Sequence, residues 1–184
     1  TLEQCLKETN EIGFSGIEAG GKFPKKSTEL IPKLEKENLK LCSGWYGANL
    51  LKNSVKEELS LMKEQLDLFK ECDAPCIVFA EVTGSIQGEV KTPLSKRPIL
   101  NNEEWKNFYY KINEISKHME DSGMPLAYHH HMGTVVQSQE DTERLIDNTS
   151  DTVRLLIDTG HMMFAGGDFV KIAKDYSSRL HHIH

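Results

Sequence analysis

Six short apolar runs alternate with amphipathic helical stretches over all 184 residues, and this rhythm constrains the fold more than any other feature. The runs are Gly16 to Glu18, Leu39 to Tyr46, Pro75 to Glu81, Met124 to His130, Val153 to Asp158 and Arg179 to His184. Between them lie stretches with apolar residues at helical spacing. Thr1 to Ile12 carries Leu2, Leu6 and Thr9 on one face. Ser27 to Asn38 has Ser27 as its expected N-cap and Pro32 as an awkward member. Asn53 to Cys72 carries Val55, Leu59, Met62, Leu66 and Phe69. The helix from Asn101 or Asn102 to Asp121 carries Trp105, Phe108, Ile112 and Ile115. Ser138 to Asn148 and Asp168 to Tyr176 complete the set. Strands separated by helices imply βαβ units and a parallel sheet. Alternation alone leaves a doubly wound sheet and a barrel both open. The Gly20-Gly21 pair does not continue into GxGxxG, and no Walker A loop is present, so the two common phosphate-binding fingerprints are absent.

Polar residues decide between the two architectures. They gather at the C-terminal ends of the runs, where a TIM barrel assembles its active site. Leu126-Ala127-Tyr128 leads into His129-His130-His131. Side chains alternate along a strand, so His129 and His131 point one way and His130 the other. Two imidazoles so spaced can converge on one divalent cation, and imidazole suits Mn, Co, Fe and Zn. Leu155-Leu156-Ile157 ends in Asp158, followed by Thr159-Gly160-His161. Asp158 is either a metal ligand or a helix N-cap, and His161 can reach a substrate or the metal. In Leu180-His181-His182-Ile183-His184, His182 and His184 share a face. Glu81 follows Cys76-Ile77-Val78-Phe79-Ala80 and shares a face with Ile77 and Phe79. Assigned to the barrel interior, it needs a partner or a task. Glu18 ends its strand in the same manner, and Trp45 and Tyr46 end another, as core or as a substrate wall. His118 falls on a helix surface. The segment from Val82 to Leu100 lacks periodicity and is long for a loop, a place where function often sits.

Composition matters for what it excludes. A net charge of -6 with no basic cluster beyond short pairs such as Lys25-Lys26 argues against a nucleic-acid surface. No apolar run reaches the length of a membrane span. Cys5, Cys42, Cys72 and Cys76 form no CxxC pair and are read as reduced thiols of a cytoplasmic protein. The chain starts at Thr1 without a methionine and stops at His184 within a strand pattern, so residues are expected beyond both ends.

Three stretches together resemble the inosose dehydratase family of the xylose isomerase-like TIM-barrel superfamily. They are Tyr128-His129-His130-His131-Met132-Gly133-Thr134-Val135-Val136-Gln137, Asp158-Thr159-Gly160-His161 with Ala165-Gly166-Gly167-Asp168, and His181-His182-Ile183-His184. Gly16-Ile17-Glu18-Ala19-Gly20-Gly21-Lys22-Phe23-Pro24 extends the similarity along the chain. The first stretch is the specific one, since DTGH and HxH elements recur in sugar isomerases and epimerases. The resemblance implies one domain over residues 1–184, a (β/α)8 barrel here lacking its first and last strands. It implies a hydro-lyase that removes water from 2-keto-myo-inositol (scyllo-inosose) to give a trihydroxycyclohexane-1,2-dione. A divalent metal, Mn2+ or Co2+, would be held by His129, His131, Asp158 and His184. In the wider superfamily a Glu stands where His129 stands. Glu81, His161 and His182 are the acid/base or substrate-orienting candidates, and which of them is the base stays open. Glutathione is a possible cofactor by resemblance only. The partner is a small polyol or keto-sugar, and a homo-oligomer is possible. A sugar isomerase or epimerase using metal-stabilised enediolate chemistry is the alternative, ahead of phosphodiester hydrolysis or a non-enzymatic binding module.

Overall fold

The computed structural model describes all residues from Thr1 to His184. Six strands appear in the expected order: β1 (Gly16–Ala19), β2 (Lys40–Ala48), β3 (Ile77–Glu81), β4 (Leu126–His129), β5 (Arg154–Ile157) and β6 (Leu180–Ile183). Each pairs in parallel with its sequence neighbour, and the sheet order is β1-β2-β3-β4-β5-β6. Strand order that follows sequence order, with a helix in each connection, is the topology of a barrel and not of a doubly wound sheet. The sheet curls far enough that Glu18 on β1 bonds His182 on β6, 164 residues away. The six strands thus form a half-barrel, consistent with an incomplete (β/α)8 barrel.

The helices are α1 (Leu2–Ile12), α2 (Ser27–Lys36), α3 (Val55–Glu71), α4 (Asn102–Asp121), α5 (Gln139–Asp147), α6 (Thr159–Phe164) and α7 (Phe169–Asp175). Three of them begin with capping boxes: Ser54 with Glu57, Asn101 with Glu104, and Ser138 with Asp141. Each box satisfies two backbone N–H groups that the first turn leaves unpaired. Ser27 is not the cap of α2. That position falls to Lys26, which makes no side-chain cap bond, while the Ser27 hydroxyl bonds Glu71 on α3. Two elements carried no sequence signal strong enough to see: α6 and a single 3-10 turn at Leu94–Lys96. No helix is long and apolar enough to cross a membrane. All four cysteines are free thiols.

The two faces of the sheet bury different side chains. Ile77, Phe79, Leu126 and Tyr128 point outward and join Met62, Phe69, Phe108, Ile112 and Ile115 in a 26-residue cluster under the helices. Cys76, Val78, Ala127 and Leu156 form a separate cluster of four on the inner face. Glu81 follows the parity of Ile77 and Phe79, so it belongs to the outer, helix-covered face. Its expected place in the barrel interior is therefore corrected: Glu81 does share a face with Ile77 and Phe79, but that face is the outer side of the sheet. Two register shifts interrupt the ladder, one between Ile17 and Glu18 and one between Leu155 and Leu156. The extra residues are Cys42 of β2 and His181 of β6, the latter directly before His182, and bulges of this kind are common at barrel rims.

Phe108 is fully buried, with its ring 6.1 Å from that of Tyr128. Truncating such a side chain removes its transfer free energy and leaves a cavity. Phe108→Ala is expected to lower unfolding free energy by about 3–5 kcal/mol in urea denaturation. A loss under 1 kcal/mol, roughly the scale of a surface change, would show that α4 is not clamped to the sheet through this ring.

Candidate metal centre

The strand ends converge on one carboxylate. Asp158 follows β5 and caps α6, its Oδ1 accepting from the His161 N–H at 2.7 Å. The N-cap and metal-ligand readings of this residue are compatible, because a carboxylate has a second oxygen. Around Oδ2 stand three imidazole nitrogens: His129 Nε2 at 3.5 Å, His161 Nε2 at 3.8 Å and His184 Nδ1 at 3.9 Å. These separations are long for hydrogen bonds. They approach those of ligands sharing a cation, since groups held at about 2.0–2.2 Å from one ion lie roughly 3–3.6 Å apart. His129, Asp158 and His161 form one donor set and Glu18, His182 and His184 a second, with the ligand atoms of each set within 4.8 Å of one another.

The charge states of the site fit a cation at this place. The His129 ring is almost wholly enclosed, its Nε2 faces Asp158, and its buried Nδ1 has no hydrogen-bond partner. Burial, reinforced by neighbouring His130, His131 and His184, also holds His129 well below the usual imidazole range. At neutral pH it therefore stays uncharged, with one ring nitrogen carrying a free lone pair. Burial opposes ionisation of Asp158, but the His161 N–H and the surrounding imidazoles outweigh it and hold the carboxyl below its ordinary value. A neutral imidazole beside an ionised carboxylate is the donor chemistry that Mn, Co or Zn requires.

The structure distributes the candidate residues as follows. His129 and His131 share a face, as alternation requires, with ring centroids 5.3 Å apart. Trp45 stands edge-on to both, at 5.3 Å from each. It is therefore a wall of the site. His131 is not in either donor set. Its Nδ1 bonds the Met132 carbonyl at 2.9 Å, and its ring lies 4.0 Å from that of His161. Burial, with His131 next, lowers the His161 pKa. His182 and His184 both turn to Glu18 Oε1, at 2.7 and 3.1 Å. Burial would raise the Glu18 pKa, but these bonds outweigh it and bring the carboxyl down to about 2.

Glu81 sits apart. Its two oxygens accept from the backbone N–H groups of Leu50 and Thr83, at 2.6 and 2.7 Å, and burial pushes its pKa up. It ties the loop after β2 to the end of β3. Two residues outside the expected site set have roles here. Glu18 is, in the sequence, a strand-end carboxylate like Asp158, with no pattern to mark its partners. His130 was read as turned away, and it does leave the donor sets, but its Nε2 accepts the Asp158 N–H at 3.2 Å. It holds the backbone that carries the central carboxylate.

The long segment between β3 and α4 is clasped onto the loop that contains His131. Ile86 N–H donates to the Gly133 carbonyl at 3.0 Å. Gly133 has φ +81°, and a Cβ there would stand 2.8 Å from the Gln87 nitrogen, so only glycine fits. Arg97 closes the clasp with bonds to the Thr134 and Val135 carbonyls at 3.2 and 3.0 Å and an ion pair with Asp141 at 2.8 Å.

This chain belongs to the xylose isomerase-like TIM barrel family, whose model matches residues 6–184. It is 37% identical over 183 residues to the rhizopine catabolism protein MocC of Rhizobium meliloti, covering all of this chain and 56% of that protein. It is also 37% identical over 186 residues to an inosose dehydratase of Clostridium perfringens, covering all of this chain and 63% of the relative. The chain thus spans about three fifths of the length of these relatives. Among solved structures, a sugar phosphate isomerase/epimerase from Parabacteroides distasonis superimposes with TM-score 0.75 at 16% identity, over 100% of this chain and 68% of that one. The IolI protein with a bound zinc atom superimposes with TM-score 0.63 at 16% identity, over 99% of this chain and 66% of that one. At such identities the likeness shows the fold alone.

Because both partners of the Arg97–Asp141 pair are largely buried, losing one leaves the other uncompensated. Arg97→Ala is expected to cost about 3 kcal/mol of stability and to open the segment between residues 82 and 100 to limited proteolysis. Unchanged cleavage and unchanged stability would rule out the clasp.

Proposed function

We propose that this chain carries the metal-binding part of an inosose dehydratase, which removes water from 2-keto-myo-inositol to give a trihydroxycyclohexane-1,2-dione. The observation that carries this reading is the ring of His129, His161 and His184 around Asp158 Oδ2 at the C-terminal rim of a parallel barrel sheet. The 37% identity to an inosose dehydratase along the whole chain supplies the substrate. The zinc in IolI favours a divalent metal, and the resemblance favours Mn2+ or Co2+.

Asp158, His129 and His184 would hold the metal, with His131 alongside. When bound, a divalent ion supplies Lewis-acid polarisation of the substrate ketone. The remaining work falls to the chain. Elimination beside a ketone breaks the α C–H bond, passes through an enol, and expels the β hydroxyl with a proton from an acid. The enol then tautomerises to the second ketone, so that one water is lost. His161 is kept neutral by burial and by His131 and is only partly enclosed, so its imidazole can take the α proton. His182, paired with Glu18, can deliver a proton to the leaving hydroxyl. Glu81 has no free oxygen for either task, being held by two amides. Trp45 walls the side of the site that carries His129 and His131. The partner on this reading is a small keto-sugar or polyol, met in the cytoplasm.

Purified protein supplied with Mn2+ or Co2+ and scyllo-inosose is expected to accumulate the ultraviolet-absorbing dione. Asp158→Asn, which removes the charged ligand at the centre of the site, is expected to lose metal binding in calorimetric titration and most of this activity. Epimerised ketose without dione would replace the dehydratase reading with that of an isomerase.

A further inference from the structure

His184 presents a different nitrogen to each of two carboxylates. Its Nε2 lies 3.1 Å from Glu18 Oε1, and its Nδ1 lies 3.9 Å from Asp158 Oδ2. An ionised carboxylate only accepts hydrogen bonds, and a neutral imidazole carries one donor and one acceptor nitrogen. The short contact with Glu18 therefore requires the proton on Nε2. The opposite tautomer would set an imidazole lone pair against a carboxylate lone pair. With Nε2 protonated, the lone pair sits on Nδ1, on the side of Asp158 and His129, whose ring centroid is 5.1 Å from that of His184.

We propose that Glu18 is a positioning residue that holds His184 as its Nε2–H tautomer, so that Nδ1 faces the cation site around Asp158. The proposal rests on the metal reading of that site. Three features of the fold support it. Ile17 packs under the helices, so alternation turns Glu18 to the inner face, and the register shift, with Cys42 the extra residue of β2, sets Glu18 opposite Ser43. A second shift, at Leu155/Leu156, sets the register of β6 opposite β5. His182 Nε2 also donates to Oε1, at 2.7 Å, so the carboxylate is steered from two positions of one strand and cannot swing away from His184. Carboxylates that take the outer N–H of a ligating histidine fix its ring and raise its basicity, and removing one typically costs 10–100-fold in metal affinity. Glu18 also joins the two edges of the sheet, so the same contact that orients the ligand brings β6 to the site.

The test separates this role from the metal reading beneath it. Two-bond 15N–1H correlation spectra of the metal-free protein, in mildly alkaline buffer where imidazoles are neutral, report the tautomer of each histidine. The His184 signals are identified by their loss in His184→Gln. The unaltered protein and Glu18→Asp should show the Nε2–H pattern, and Glu18→Gln, whose amide can accept or donate, a mixture. In calorimetric titration with Mn2+, Glu18→Gln should weaken binding about 10–100-fold, and Glu18→Asp should recover part of the loss. An Nδ1–H pattern in the unaltered protein would overturn the proposal. So would Mn2+ affinity unchanged by Glu18→Gln while Asp158→Asn abolishes binding. Two Mn2+ per chain, with the weaker lost in Glu18→Gln, would instead make Glu18, His182 and His184 a cation site of their own and would also overturn it. Affinity indifferent to Asp158→Asn would remove the metal reading itself.

Discussion

A single carboxylate divides its two oxygens between the fold and the chemistry, and the rest of the site is arranged around that division. Asp158 Oδ1 caps α6 through the His161 N–H, while Oδ2 faces three imidazoles. The cap fixes the side chain in one orientation, because rotating it would release the helix. Typical caps contribute about 1 kcal/mol, enough to make one rotamer dominate. The backbone beneath it is held from another strand, by His130 Nε2 accepting the Asp158 N–H. A ligand oxygen that had to be ordered on binding would cost side-chain entropy at that moment. Here folding has already met that cost.

The consequence is a centre assembled from non-adjacent parts of the sequence with little freedom in any of them. β4 delivers His129, β5 delivers Asp158, and His184 directly follows β6. A flat parallel sheet would set these ends in a row, roughly 4.8 Å per strand. Curling the sheet lets side chains two or more strands apart meet, and the Glu18 bonds to His182 and His184 are the farthest instance. The segment that covers the β4 end is fixed by Arg97 and by a glycine that alone tolerates its backbone angle and the close passage of Gln87. The segment can pass this close to the loop after β4 because Gly133 has no side chain.

Much of this was legible in the sequence. Element order, the parallel sheet, the stripe of Trp105, Phe108, Ile112 and Ile115, and the gathering of polar residues at strand C-terminal ends all follow from periodicity, which reports burial on one face. The shared faces of His129 with His131 and of His182 with His184 followed from the same rule. Three kinds of feature did not. Boundaries moved where caps override periodicity, as at Ser27, whose hydroxyl serves α3 and not α2. The six-residue helix α6 is too short to show a period and was hidden in the Asp-Thr-Gly-His run. Partners across the barrel, such as Glu18 with His182, depend on curvature and on two register shifts, which no local pattern encodes.

The two strand-end glutamates show most clearly where sequence reasoning stops. Glu18 and Glu81 each close an apolar run, and nothing in the neighbouring residues distinguishes them. Their fates diverge because parity names a shared face without naming which side of the sheet that face lies on. Glu81 inherits the outer side from Phe79, is fully buried, and finds two backbone amides, which make it part of the scaffold. Glu18 follows Ile17, which packs under the helices, so alternation turns it to the inner rim, where it is only partly enclosed and finds two histidines. Burial acts on both in the same direction, raising the pKa, yet Glu81 ends above its ordinary range and Glu18 at about 2. Two strongly hydrogen-bonded imidazoles offset the desolvation of Glu18, which is incomplete. Two amides do not offset that of Glu81, which is nearly total. A carboxylate kept ionised beside histidines at a barrel rim can orient a ligand. One enclosed among amides under the helices can only hold a loop.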